Sequence, residues 1–180
     1  MIDLDGEKIV LDEIYKSLAV YNHFSGNLFI CFYQYIGYLA YKTHWIYNTF
    51  QGILEDGRKI GFFNCGGLSQ TQSSRAHEDV IILDNKMIKL HPIVHKFEDK
   101  KDLSKPWYLK SYHYGKAKSR TINITFTPII RDDVRLGAGL INYQHEILVG
   151  TYDGYFNDED GNTIIFTNIR GYASYFYAHW

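Results

Sequence analysis

Cysteine is scarce in this chain. The two present, Cys31 and Cys65, sit among apolar or glycine neighbours without a CxxC spacing. Two are too few for a disulfide framework, so both are read as buried free thiols. Charge of either sign is not in surplus: Lys plus Arg number 19 and Asp plus Glu 20, a formal net charge of -1. No bulk field attracts phosphate backbones or anionic lipid, which removes nucleic acid as an expected partner. A long apolar run is also missing. The most apolar stretch, Leu28 to Tyr41, is broken by Gln34, Gly37 and several tyrosines, and it is shorter than the roughly 20 residues a bilayer requires. No integral membrane span is expected, and the stretch reads as a strand pair buried on both faces. The opening residues Met1-Ile2-Asp3-Leu4-Asp5 are acidic and lack the basic start and apolar core of a secretion signal, so the expected compartment is the cytoplasm. Gly66-Gly67 is not followed by a GxGxxG or GxxxxGK[ST] pattern or by a helix, and no serine lies in a nucleophile elbow. No cofactor is expected.

What is abundant is aromatic. Tyr 16 and Phe 11 are high numbers for 180 residues, and aromatic side chains suit pleated, half-buried surfaces. The length fits one domain with a substantial core. The clearest pattern is Thr121-Ile122-Asn123-Ile124-Thr125-Phe126-Thr127-Pro128, where Ile122, Ile124 and Phe126 alternate with polar residues as in a half-buried strand. Pro128 removes a backbone donor and is read as its end.

From Trp45 onward the chain reads as short strands separated by turns. Trp45 to Leu54, Glu55-Asp56-Gly57-Arg58 and Lys59 to Asn64 form a hairpin, because Asp-Gly supplies the positive φ of a tight turn. Cys65 through Ser74 reads as a loop. Glu78 to Leu83 and Lys86 to Leu90 make a second hairpin, and Ile93 to Phe97 continues the meander. Trp107 to Tyr112 pairs with Arg120 to Thr127, and Val134 to Gly139 is a bend. Leu140 to Phe156 is one long strand with bulges or close backbone contacts at Gly150 and Gly154. Asn157 to Asn162 turns the chain into Thr163 to Ile169, and Arg170-Gly171 turns it again into Tyr172 to Trp180. Before Trp45, only a short helical turn or two around Ile9, Val10, Leu11, Ile14 and Leu18 is suggested. The sum is an all-β chain of about nine or ten antiparallel strands with little helix. Consecutive hairpins favour a barrel over a sandwich, since closure hides aromatic strand edges, and a barrel of this size has room for a small ligand.

Few residues signal chemistry. His91 and His95 have helical metal-ligand spacing, but Pro92 and the β-branched residues make the segment extended. The two rings then stand about 13 Å apart at 3.3 Å per residue, too far for one zinc ion, and no metal site is expected. Glu78 in His77-Glu78-Asp79, His145 in His145-Glu146, and Asp153 between Tyr152 and Gly154 are the candidate acids or bases. Each has a blander reading as a loop end, a hydrogen-bonded core histidine or a turn carboxylate. Tyr172, Tyr175, Phe176, Tyr177 and Trp180 read first as wall packing and second as contacts to an apolar guest.

The landmarks Trp45-x-x-Asn48, Asp56-Gly57-Arg58-x-Ile60-Gly61-x-x-Asn64, Glu78-Asp79, Pro106-Trp107-x-x-x-Ser111, Phe126-x-Pro128-x-x-Arg131, Gln144, Gly150-x-x-x-Gly154, Asp160-Gly161 and Trp180 follow one another in an order that resembles the C-terminal part of a bacterial family of unknown function, DUF2804. That family is similar to the AttH and carotenoid-hydratase group, whose members pair two lipocalin-like barrels. The resemblance implies an antiparallel lipocalin-like β-barrel over residues 41–180, with residues 1–40 as an N-terminal segment, a remnant of an upstream barrel half. Family members are longer and carry Glu-Asn where this chain has Glu78-Asp79.

Three functional expectations follow. The first is a barrel whose cavity binds a small apolar or amphipathic ligand, with Trp45, Asn64, Trp107, Arg131, Gln144 and Tyr152 as contacts. The second, implied by the hydratase likeness, is acid-catalysed hydration or elimination on a hydrophobic, isoprenoid-like substrate, with Glu78, His145 or Asp153 as the acid and aromatic faces stabilising a carbocation. The third is a structural half-domain that needs a partner barrel, for which a homodimer would serve.

Overall fold

The computed structural model describes residues 2–4, 7–9, 41–67, 78–111, 119–138 and 141–179. Two compact units divide the chain, Met1–Tyr35 and Ile36–Trp180. In the first, β1 (Ile2–Leu4) and β2 (Glu7–Ile9) pair antiparallel. The helical turns expected at residues 10–18 and the strand pair expected at residues 28–40 lie outside the described residues.

The second unit is a nine-stranded antiparallel sheet. Its strands are β3 (Lys42–Ile53), β4 (Lys59–Gly67), β5 (Val80–Leu83), β6 (Lys86–Lys89), β7 (Ile93–Phe97), β8 (Trp107–Ser111), β9 (Thr121–Ala138), β10 (Ile141–Asn157) and β11 (Thr163–His179). They lie in the order β6-β5-β4-β3-β11-β10-β9-β8-β7. Every regular element among the described residues is a strand, and no helix is long and apolar enough to cross a membrane.

That order dictates curvature. β6 and β7 occupy opposite ends of the sheet yet are joined by Leu90-His91-Pro92 alone. Four residue steps span at most about 14 Å, so the sheet has to roll until its two edges meet. The result is a lipocalin-like half-barrel whose seam is held by individual bonds. Ile93 N on β7 donates to Asp79 Oδ2 just before β5 at 3.0 Å, and His91 N in the connector donates to Arg120 O at 3.0 Å, while Leu90 N to Asp79 O at 2.9 Å extends the β5–β6 ladder by one rung. β7 therefore does not extend the β5–β6 meander; it pairs with β8.

Side chains on the concave face form rungs across the sheet. Phe62, Phe50, Gly171 and Gly150 make one rung; Ile169, Tyr152, Phe126, Trp107 and Phe97 make another. Gly150 and Gly171 are required there. A Cβ on Gly150 would collide with the Phe126 ring and the Thr127 carbonyl, and one on Gly171 with Phe50, the Tyr152 ring and the Thr49 carbonyl. The vacated space lets Tyr152 lie against Phe126, centroids 4.6 Å apart, and Phe50, 5.0 Å apart. Trp107, Phe126, Tyr152 and Phe156 have no exposed surface, so this part of the interior is packed with rings.

Two bulges set which residues face inward. Ile129 is an extra residue opposite the Val149/Gly150 step, so the inward positions of β9 change from Ile122, Ile124 and Phe126 to Arg131, Asp133 and Arg135. Thr167 and Asn168 of β11 together oppose Asp153 alone, one residue too many between Tyr152 and Gly154, so its inward set changes from Ile164 and Phe166 to Ile169, Ala173, Tyr175 and Tyr177. Asn168 takes a φ of 54° there, and its N–H donates to Asp153 Oδ1 at 2.8 Å.

Three expected boundaries are corrected. β9 runs through Pro128 to Ala138, because β8 pairs only as far as Phe126 and a proline at an unpaired edge beside a bulge deprives no neighbour of a donor. β4 includes Cys65, Gly66 and Gly67, which pair with Tyr47, Ile46 and Trp45. Arg170 and Gly171 lie within a continuous β11, because the chain relieves curvature through the bulge at Thr167-Asn168 instead of a turn. The Asp56-Gly57 hairpin forms as expected, with Gly57 at φ 87°.

Candidate functional site

The concave face is not uniform along its length. Beyond the ring-packed rungs it turns polar and opens. The rung Ala173–Asn48–Asn64 lies next to the aromatic core, followed by Glu146–Tyr175–Ile46 and then by Gln144–Tyr177–His44. Asn48 and Asn64 have no exposed surface, whereas Gln144, Tyr175 and Tyr177 are partly exposed and His44 is exposed. Opposite them, β7 contributes His95 and Phe97, both partly exposed.

Two hydrogen-bonded clusters line this end. The deeper one runs through the sheet's interior. Tyr152 Oη lies 3.1 Å from Asn48 Oδ1 and 2.8 Å from the Tyr172 carbonyl, both acceptors for its single proton. Asn48 Nδ2 donates to Asn64 Oδ1 at 3.0 Å, Asn64 Nδ2 donates to the carboxylate of Asp79, and Asp79 in turn receives Ile93 N. His95 Nε2 stands 2.7 Å from Asn64 Oδ1 and 3.2 Å from Asn48 Nδ2. The shorter contact assigns the proton to Nε2, donated to the carbonyl oxygen of Asn64. Burial lowers the His95 pKa to about 4, with a smaller push from His44. At neutral pH the ring is uncharged. Burial likewise drives the Tyr152 phenol far above its ordinary range, so it acts as a neutral donor.

The second cluster surrounds Glu146, whose side chain is only 1% exposed. Arg131 grips it with two bonds, Nε to Oε2 at 2.6 Å and Nη2 to Oε1 at 3.0 Å. Arg135 Nη2 and Gln144 Nε2 each add one at 3.0 Å. Burial works to raise the Glu146 pKa, but the bonds from Arg131, Gln144 and Arg135 outweigh it and hold the carboxyl below its ordinary value. Asp102 lies 3.7 Å from Arg131, and Asp133 lies 3.0 Å from Arg135. Two guanidiniums thus face three carboxylates at the rim, and both arginines have charge partners.

The expected residues distribute as follows. Asn64, Arg131 and Gln144 come together on the concave polar end. Tyr152 and Trp107 are also concave but fully buried within the ring-packed region. Trp45 faces the convex side, where it stacks on Phe176 at 3.6 Å between centroids. Of the three candidate acids, His145 is convex and bonded to Ser174 Oγ at 2.9 Å, with its pKa lowered by burial. Asp153 holds the β11 bulge. Glu78 precedes β5, and its Oε2 is buried without a hydrogen-bond partner among the described residues. In each case the neighbour turns inward: Asp79, Glu146 and Tyr152.

Asn48, Asp79 and Glu146 are not marked as site residues by the sequence, and His95 is marked there only as half of a metal pair too widely spaced to form. The signal that identifies them is strand parity, anchored on buried Leu148 and Phe156 in β10. Cys65 is buried, and Cys31 lies outside the described residues. Among the described residues, no group of three or more His, Cys, Asp or Glu is arranged to hold a metal ion.

Comparison with known proteins gives one match. The family described as Domain of unknown function (DUF2804) matches residues 36–180, which takes in the whole nine-stranded sheet. No curated protein and no solved structure matches the chain.

Proposed function

The chain belongs to the DUF2804 family, and we propose that its half-barrel binds a small amphipathic molecule at the open end of the concave face, without chemistry on the guest. One observation carries this reading. The same inner wall that is sealed with rings at Tyr152 and Phe126 becomes a partly exposed surface of aromatic and hydrogen-bonding side chains at Phe97, Tyr175, Tyr177, Gln144 and His95. A concave, mostly apolar wall with a few fixed polar groups is what small-molecule sites are made of.

The roles follow from position. Phe97 and Tyr175, with ring centroids 6.4 Å apart, offer faces to an apolar body. Gln144, His95 and Tyr177 offer hydrogen bonds to a polar end. Arg131 and Asn64 act behind them, as groups that fix Glu146 and His95 in place. Because the rim arginines already have carboxylate partners, a neutral or cationic polar group fits better than an anionic one. The likeness to the AttH and carotenoid-hydratase group supports a lipidic or isoprenoid guest.

Native mass spectrometry after gentle purification tests the reading. A retained small molecule, together with a rise in melting temperature across a panel of long-chain alcohols, monoacylglycerols and amines, is the expected result. Empty spectra and an unchanged melting temperature across that panel would overturn it.

A further inference from the structure

β9 is much longer than the strand on its far side. It runs from Thr121 to Ala138, while β8 pairs with it only from Asn123 to Phe126. From Thr127 on, one edge of β9 has no strand partner among the described residues, although its other edge remains paired with β10 up to Ala138. Along such an edge, alternate N–H and C=O groups point outward, available to another strand. Residues 129–137 are exposed throughout.

The convex side of the same ladder is mostly apolar, with exposed Asp132 between Ile130 and Val134. Ile130, Val134 and Leu136 of β9 are 63%, 41% and 64% exposed, and Ile141 and Val149 of β10 continue the patch. Contiguous exposed apolar surface beside an open edge is uncommon on a chain that works alone.

We propose that a second copy of this chain occupies this edge, the two β9 strands pairing antiparallel about a two-fold axis through Val134. The charge pattern selects both partner and register. An axis at Arg131, Asp132 or Arg135 sets a charged residue against its own copy. An axis at Asp133 does the same and also opposes Arg131 to Arg135. Like charges directly opposite one another destabilise an antiparallel pair. With Val134 on the axis, Val134 meets Val134 on the apolar side, and Asp133 of each copy meets the partner's Arg135 on the concave side. Arg131 then faces Gly137, and Asp132 faces Leu136. Of the five registers centred from Arg131 to Arg135, this alone places no like charges opposite and makes two ion pairs. It fuses two nine-stranded sheets into one and joins their apolar stripes.

The pairing is tested on the full chain by light scattering coupled to size exclusion, with circular dichroism confirming that every variant is folded. The unaltered chain is expected at twice the monomer mass. Asp133→Arg and Arg135→Asp, each alone, place like charges across the axis and are expected to elute as monomers. Mixing these two variants in equal amounts restores opposite charges at both positions, and the dimer returns. Arg135 also bonds Glu146, so if Arg135→Asp does not fold, exposed Val134→Lys provides the monomeric variant in its place. Val134→Cys is expected to give an interchain disulfide under mild oxidation, located by peptide mapping. Ile141→Cys gives none, its copies lying about 30 Å apart, three strand spacings across and eight residue steps along. A monomeric mass for the unaltered chain at all concentrations, or a dimer that both charge variants leave intact, would overturn the proposal.

Discussion

The hydroxyl of Tyr152 on β10 reaches across β11 to Asn48 Oδ1 on β3, 3.1 Å away. It does so because Gly171, on the strand between them, has no side chain to block the ring. Three strands are thereby tied through one phenol, and the aromatic core is joined to the polar end of the interior.

Tyr152→Phe keeps the ring and removes the bond. Asn48 Oδ1 then loses its phenol donor in a dry site. The expected cost is about 1–3 kcal/mol of unfolding free energy, measured as a lower urea midpoint at unchanged slope. An unchanged midpoint would mean that water or another donor replaces the hydroxyl.

Asp79 fastens the seam of the half-barrel through Asn64 on β4 and Ile93 on β7. Asp79→Ala orphans two buried donors and is expected to cost about 3 kcal/mol or more. Amide hydrogen exchange should accelerate first in β5, β6 and β7, the strands beside the seam. Uniform acceleration across all nine strands would show that the seam is not a local fastening.

Arg131 and Arg135 both bond Glu146, but their side chains are 30% and 59% exposed. Arg131→Ala removes a bidentate grip on a buried carboxylate, with an expected loss of about 3 kcal/mol. Arg135→Ala, more exposed and contributing a single bond, should cost about 1 kcal/mol or less. Equal losses in denaturant titrations would contradict this ranking.

The fold was legible because period-two alternation and Asp-Gly turn chemistry are local. The Trp45 to Asn64 hairpin and the Ile122, Ile124, Phe126 face could be read directly, and Gly150 and Gly154 stand opposite the register shifts in the ladders of β10. The inward set was less legible. A bulge adds one residue to one strand and exchanges its faces beyond that point, and Ile129 and Thr167-Asn168 carry no composition that marks them. Parity therefore changes inside apparently regular strands, so alternation alone does not carry the inward set across either bulge. In β10 the run Ile147-Leu148-Val149 is apolar on both faces, so sequence alone did not distinguish His145 from Glu146. His95 was read correctly as extended, but its meeting with Asn48 and Asn64 depends on the roll of the whole sheet.

The pH dependence follows from His95. Its folded pKa of about 4 lies below the roughly 6.5 of an unfolded histidine. Above pH 6.5 neither state binds the proton and the ring leaves stability unchanged. As pH falls from 6.5 toward 4 the unfolded chain alone takes it up, so stability declines, by about 3 kcal/mol at most from this group. His95→Gln should flatten the pH 6.5 to 4.5 limb of the melting-temperature profile. His44 remains as a nearby titrating group. A profile of unchanged slope in that variant would remove His95 as the cause.

The most direct measurement of the central claim is a backbone amide NMR titration of the full chain with a single-chain monoacylglycerol below its aggregation threshold. Saturable shifts confined to Phe97, Gln144, Tyr175, Tyr177 and their neighbours, with Ile122 and Phe156 unmoved, are the predicted outcome. Shifts that never saturate, or that spread evenly over both faces of the sheet, would contradict a ligand site at the open end of the half-barrel.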